Sequence, residues 1–186
     1  MRVITGSARG RRLESPTGDN VRPTTDVVKE AVFSIVQFSV EGGMFLDAFS
    51  GSGQMGIEAL SRGAAGAVFI DSSRRSMNII KRNIALCGLE DKARTVSGDS
   101  ISFLENTNEK FDIIFLDPPY MTGLLQSALS KSGKALKDNG VVICEHPKEE
   151  KLPEKTAELY LVRDYRYGKI MISLYKKHEQ EENEPR

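Results

Sequence analysis

The sequence predicts an α/β protein built on a mostly parallel seven-stranded sheet, with helices on both faces and an antiparallel last strand. Two observations carry this prediction. Short apolar segments alternate with segments whose apolar residues recur at helical spacing, as in parallel sheets covered by helices. The chain has 186 residues, of which 39% are hydrophobic, and that is enough for one domain with a buried core.

Residues 1–22 are predicted to form a short basic hairpin or arm. They hold five arginines against Glu14 and Asp19, a local balance of +3, although the formal net charge of the whole chain is zero. A basic arm on a neutral body can bind phosphate locally; the alternative is a merely solvated hairpin. We expect the arm to contact nucleic acid through Arg9, Arg11, Arg12 and Arg22.

Strands and helices then follow in alternation. A first helix begins after Pro23 and ends before Gly42. A second covers residues 55–60 and a fourth residues 124–136. The third begins at an N-cap formed by Ser72 or Ser73 and ends at Gly88. The predicted strands are residues 44–46, 67–70, 95–96, 112–116, 141–144, 159–162 and 170–175. The last two form an antiparallel pair, and residues 165–168 between them either line a pocket or simply pack.

Aspartates mark the carboxyl ends of the predicted strands. Asp47, Asp71 and Asp117 each end a strand, and Asp99 comes just after another. In parallel sheets the ligand binds beyond the carboxyl ends of the strands. One such aspartate is ordinary turn chemistry, but four on one rim indicate a site.

A glycine-rich turn joins the first strand of this alternation to its helix. Gly51, Gly53 and Gly56 satisfy the G-x-G-x-x-G pattern, and Asp71 lies twenty residues beyond Gly51. A carboxylate at that position can accept both hydroxyl protons of a ribose. The turn therefore predicts a cofactor that contains adenosine, and by itself leaves NAD and S-adenosylmethionine open.

The segment Asp117-Pro118-Pro119-Tyr120 favours chemistry on an amino group. Two prolines fix the backbone, so the Asp117 side chain and the Pro118 carbonyl can both accept protons from one planar amine. This draws electron density towards nitrogen and orients its lone pair for attack. Tyr120 offers a face for base stacking, worth ~1–3 kcal/mol. The alternative is a double-proline loop whose aspartate caps the next helix.

Residues 47–53 and 117–120 resemble the cofactor and catalytic motifs of Rossmann-like amino-methyltransferases. More narrowly, residues 2–13 and 22–33 resemble the bacterial RsmD-type enzymes, which methylate a guanine N2 in 16S ribosomal RNA; the resemblance covers residues 1 to about 176. It implies S-adenosylmethionine as cofactor. The cofactor-binding residues that it implies are Asp47, Phe49, Gly51, Gly53, Asp71 and Asp99. The implied catalytic residues are Asp117, Pro118, Pro119 and Tyr120, and no metal is needed.

We expect an RNA-contacting arm over residues 1–22, a methyltransferase domain over 23–176 and a disordered charged tail over 177–186. The expected partner is ribosomal RNA, in the small subunit or an assembly intermediate. Two distant cysteines, and no signal peptide or membrane span, predict a cytoplasmic protein, and we expect a monomer. An adenine-N6 methyltransferase and a non-catalytic RNA module that binds S-adenosylmethionine remain alternatives.

Two other residues are interpreted without a catalytic role. His146 follows Glu145 at the end of a strand, where a hydrogen-bonded edge histidine is more common than an acid–base pair. Cys87 lies on the apolar face of a predicted helix and is expected to pack in the core.

Overall fold

A seven-stranded sheet forms the centre of the molecule in the computed structural model, which describes residues 1–15 and 25–177. Its strands are β1 Met44–Asp47, β2 Gly66–Asp71, β3 Ala93–Ser97, β4 Phe111–Leu116, β5 Leu136–Pro147, β6 Tyr160–Tyr167 and β7 Ile170–Lys176. They lie in the order β3-β2-β1-β4-β5-β7-β6. The first five strands pair in parallel, and β7 runs antiparallel to both β5 and β6. This confirms the predicted α/β fold and its antiparallel last strand.

Two helices precede the parallel strands, and the other helices of the described residues connect them. The helices are α1 Asp26–Ile35, α2 Gln37–Val40, α3 Gln54–Ser61, α4 Arg74–Cys87, α5 Ser100–Asn106 and α6 Leu124–Ala135, with a 3₁₀ turn at Glu90–Lys92. Thr25 and Ser73 cap α1 and α4 by accepting backbone N–H groups, and Gly88 ends α4 in the left-handed conformation. Within residues 1–15 and 25–177, every helix is too short or too polar to cross a lipid bilayer.

The helices bury two separate apolar layers against the sheet. On one face, α1, α3 and α4 pack over strand residues such as Phe45, Phe69 and Phe115. On the other face, α5 and α6 cover residues such as Leu46 and Leu116. Because side chains alternate across a strand, each central strand supplies both layers. This explains why their sequences are continuously apolar.

The basic N-terminal segment is a short hairpin docked on α3. Arg2 and Arg12 form an antiparallel bridge, as the prediction of a hairpin required. The fully buried Glu58 of α3 accepts the backbone N–H groups of Ile4 at 2.8 Å and Thr5 at 3.0 Å. Lys29 of α1, also fully buried, lies 3.6 Å from the same carboxylate, and burial lowers the pKa of this lysine. The hairpin is therefore held by a buried ion pair that connects it to α1 and α3.

Two local predictions were wrong, and one helix was missed. Leu136, expected at the end of a helix, begins β5, and residues 165–167, expected in a connection, lie in β6. Gly168, with φ +64°, and Lys169 make the turn into β7. Helix α5 was not predicted at all, because Asp99 was interpreted as a ligand and not as the N-cap of a short helix.

Candidate active site

Four carboxylates line the carboxyl ends of four adjacent strands. On β1, β2, β4 and β5, one buried apolar residue of each strand belongs to the layer under α3 and α4: Phe45, Phe69, Phe115 and Ile143. An acidic residue follows each of these four residues by two positions. Because side chains alternate along a strand, it lies on the same face of the sheet. These acids are Asp47, Asp71, Asp117 and Glu145. The strand order β2-β1-β4-β5 makes them one row across adjacent strands, in which Asp47 lies two residues below the level of Asp71, Asp117 and Glu145.

Two of these acids hold the glycine-rich turn. The N–H of Gly51 donates to Asp71 Oδ2 at 2.9 Å, and the N–H of Gly56 donates to Asp47 Oδ2 at 3.0 Å. Gly51 and Gly53 have φ values of +55° and +78°, which side chains disfavour. A Cβ on Gly56 would lie 2.3 Å from the Phe69 ring, so that glycine lets α3 pack closely on β2.

Asp47 supports the turn from below and is almost completely buried. Loss of hydration raises its pKa from 3.8 to about 7, the Gly56 N–H bond opposes this rise, and the charge of Asp71 adds to it. The sequence interpretation placed Asp47 near the cofactor. Its contact in the structure is with the backbone of the turn.

Asp71 and Asp99 stand at neighbouring strand ends. Asp71 accepts the Ser73 N–H at 2.8 Å through Oδ1 besides the Gly51 bond, and each carboxylate oxygen has a second lone pair for a ligand hydroxyl. Asp99 is exposed and caps α5 by accepting the Ser102 N–H at 2.7 Å through Oδ1. Phe49 lies in the turn that follows Asp47. It is half-buried against the apolar layer under α5 and α6.

The Asp-Pro-Pro-Tyr turn follows β4. Asp117 is half-buried, and desolvation, followed by the charges of Glu145 and Asp47, raises its pKa well above the ordinary range. Pro118 is buried and Pro119 is exposed. The Tyr120 hydroxyl donates to Glu145 Oε1 at 3.3 Å.

Two hydrogen bonds close this turn on its outer side. The Thr122 hydroxyl donates to the Pro119 carbonyl at 2.7 Å, and the Met121 N–H donates to Glu150 Oε2 at 3.2 Å. Met121 has φ +58°, a conformation that a residue other than glycine rarely adopts. The turn is thus fixed by its own backbone and by the loop after β5.

Glu145 belongs to this row, and sequence reasoning did not place it there. The signal that could have found it is its position two residues after the buried Ile143, which matches the relation of Asp117 to Phe115. The next residue, His146, points to the opposite face because side chains alternate along β5. It is hydrogen-bonded as expected, to Ser173 Oγ at 2.7 Å, but β5 is an interior strand and not an edge.

The hairpin arginines lie outside the row of acids. Arg9, Arg11 and Arg12 are exposed, and none forms an ion pair with another described residue. The hairpin borders the glycine-rich turn, where the Ser52 hydroxyl contacts the Met1 sulfur at 3.2 Å. Arg22 and residues 178–186 lie outside the described residues.

Comparison with known proteins identifies the family. The family described as conserved hypothetical protein 95 matches residues 1–176. A putative rRNA methyltransferase YlbH of Bacillus subtilis is 37% identical over 95% of this chain and 99% of its own. Ribosomal RNA small subunit methyltransferase D of Escherichia coli is 34% identical over 99% of this chain and 93% of its own. The solved structure of a putative methyltransferase yhhF from Escherichia coli superposes with a TM-score of 0.82 at 34% identity, covering 97% of this chain and 99% of that one. The chain therefore belongs to the RsmD family of ribosomal RNA methyltransferases.

Proposed function

We propose that this chain transfers a methyl group from S-adenosylmethionine to the exocyclic N2 of a guanine in small-subunit ribosomal RNA. The row of four carboxylates carries the proposal, because it joins a turn suited to adenosine with a turn suited to an amino group on one rim. The name of the Escherichia coli relative, ribosomal RNA small subunit methyltransferase D, supports the substrate class.

The glycine-rich turn fits the proposed cofactor. Apart from its own chain neighbours, no heavy atom of the described residues lies within 4 Å of a Cβ built on Gly51, so a ligand can approach this backbone closely. Asp71 would accept the ribose hydroxyls and Asp99 the adenine amino group, while Gly51 and Gly53 would border the methionine portion. Phe49 would lie on the cofactor side of the site. Asp47 would act there by holding the turn through Gly56. When bound, S-adenosylmethionine supplies an electrophilic methyl group.

The Asp-Pro-Pro-Tyr turn would position the target base. Asp117 and the Pro118 carbonyl accept the two amino protons, Pro119 keeps the turn rigid, and Tyr120 stacks on the base. A strong base is not needed before attack, because the amine loses its proton most easily after methylation. Catalysis then rests on positioning and electrostatics.

The hairpin would bind the RNA backbone. A guanine inside a duplex is out of reach, so the target is a loop nucleotide or is flipped out. Arg9, Arg11 and Arg12 are exposed beside the cofactor turn and available for phosphates, and Arg22 is proposed as a fourth contact. We propose residues 1–22 as the RNA arm, 23–176 as the methyltransferase domain and 177–186 as a charged tail, in a cytoplasmic monomer.

Replacement of the proposed catalytic aspartate tests this function. Asp117→Ala should abolish methylation of small-subunit RNA, because the amine loses its acceptor, while cofactor affinity stays within a few-fold. Asp138→Ala is a matched control, since Asp138 is exposed at the other end of β5. Near-normal turnover by Asp117→Ala would contradict the proposed role. A wild-type protein that binds cofactor but methylates no RNA would favour the binding-module alternative.

A further inference from the structure

Glu145 stands beside Asp117 in the same row. The pairs Phe115–Ile143 and Leu116–Cys144 are in parallel register, so the next residues along the two strands are Asp117 and Glu145. Glu145 is 3% exposed, whereas Asp117 is half-buried. The glutamate therefore forms the floor of the site beneath the Asp-Pro-Pro-Tyr turn.

Tyr120 covers this floor through a long hydrogen bond. Its hydroxyl lies 3.3 Å from Glu145 Oε1, longer than the usual 2.7–2.8 Å for hydroxyl donors. A better donor can displace or share this contact. Two neighbouring carboxylates in a desolvated site are electrostatically unfavourable together, so a ligand that presents two N–H donors side by side is favoured.

Guanine has such an edge and adenine does not. In guanine, the N1–H lies next to the N2 amino group, so two neighbouring positions both donate. In adenine, the N6 amino group lies next to N1, which carries a lone pair and would face a carboxylate unfavourably. An acceptor for the amino group alone, such as Asp117, cannot distinguish the two bases.

We propose that Glu145 determines base specificity by accepting the N1–H of the target guanine while Asp117 accepts its N2 amino group. This rests on the proposed function and adds to it the group that excludes adenine. A site with a carboxylate at this position disfavours a base whose ring nitrogen carries a lone pair, because two hydrogen-bond acceptors would then face each other across a buried contact.

The test compares guanine with 2-aminopurine, which keeps the N2 amino group but has an unprotonated N1. The modified guanine is first located by mass analysis of RNA fragments, and the RNA is rebuilt by ligation with either base at that position. The wild-type protein should prefer guanine in kcat/KM by about ten- to a hundred-fold. Glu145→Gln, whose amide can donate to N1, should reduce this preference to a few-fold.

Glu150→Gln is the matched control, because Glu150 is also buried and contacts the same turn through the Met121 N–H. It should leave the preference for guanine unchanged. Equal loss of activity on both bases in Glu145→Gln would overturn the proposal and leave Glu145 as a support for Tyr120. If that variant does not fold, the deciding measurement is the wild-type ratio of kcat/KM on guanine to kcat/KM on 2-aminopurine. Equal values for the two bases would overturn the proposal. Failure of the proposed function is distinct, because the unsubstituted RNA would then yield no N2-methylguanosine.

Discussion

Asp47→Asn should change how the stability of the protein depends on pH. Asp47 is buried at the end of β1, and its Oδ2 accepts the Gly56 N–H at 3.0 Å. An asparagine can keep this bond through its amide oxygen, but it cannot ionise. The substitution therefore removes a titrating group while it preserves the anchor of the glycine-rich turn.

The magnitude follows from the pKa. Burial raises the pKa of Asp47 from 3.8 to about 7, so between these values the folded state binds more protons than the unfolded state. Its contribution to stability is complete below the unfolded pKa and is lost as the pH rises through the folded pKa. A shift of this size corresponds to roughly 4 kcal/mol, as an upper estimate. The free energy of unfolding of Asp47→Asn relative to wild type should therefore increase between pH 4 and pH 8.

Urea unfolding at several pH values in this range measures the difference directly. Asp99→Asn is the matched control, because Asp99 is exposed and asparagine is an equally good N-cap. The control should keep α5 capped and leave the free energy of unfolding close to that of wild type. A difference between Asp47→Asn and wild type that is the same at pH 5 and pH 8 would refute the assignment of a raised pKa to Asp47.

Three further predictions concern the helix, the hairpin and its arginines. Gly56→Ala should lower the free energy of unfolding by about 1–3 kcal/mol through its clash with Phe69, whereas Gly98→Ala, with open space around it, should not. Glu58→Ala leaves Lys29 buried without its ion-pair partner and should cost about 3–5 kcal/mol; replacing both residues with methionine should cost less. Replacing Arg11 and Arg12 should weaken RNA binding and reduce its log–log salt slope by about 0.7 per lost single-strand contact. An unchanged slope would exclude these arginines from the RNA interface.

The architecture could be predicted because local signals agreed with the fold. Strands such as β2 and β4 are short apolar runs, and Ser73 and Gly88 cap α4 with their usual chemistry. The aspartates at strand ends were visible because each follows an apolar run directly. Their assembly into one rim then followed from the parallel sheet.

What could not be predicted depends on contacts between distant segments. Glu58 and Lys29 look like surface charges of amphipathic helices, and only the docked hairpin explains why both are buried. The position of Glu145 after an apolar run was visible in the sequence, but its place beside Asp117 required the register between β4 and β5, which a single sequence does not fix. Asp99 was difficult for a different, local reason. One side chain can be both a helix cap and a ligand, and the ligand role alone was considered.

The most direct test of the central claim is the identity of the methylated nucleoside. The protein is incubated with labelled S-adenosylmethionine and either unmodified small ribosomal subunits or naked 16S RNA, and the digested nucleosides are identified by mass. Wild type should yield labelled N2-methylguanosine, and Asp117→Ala should yield none. Labelled N6-methyladenosine, or no labelled RNA while the protein still binds its cofactor, would contradict the proposed function.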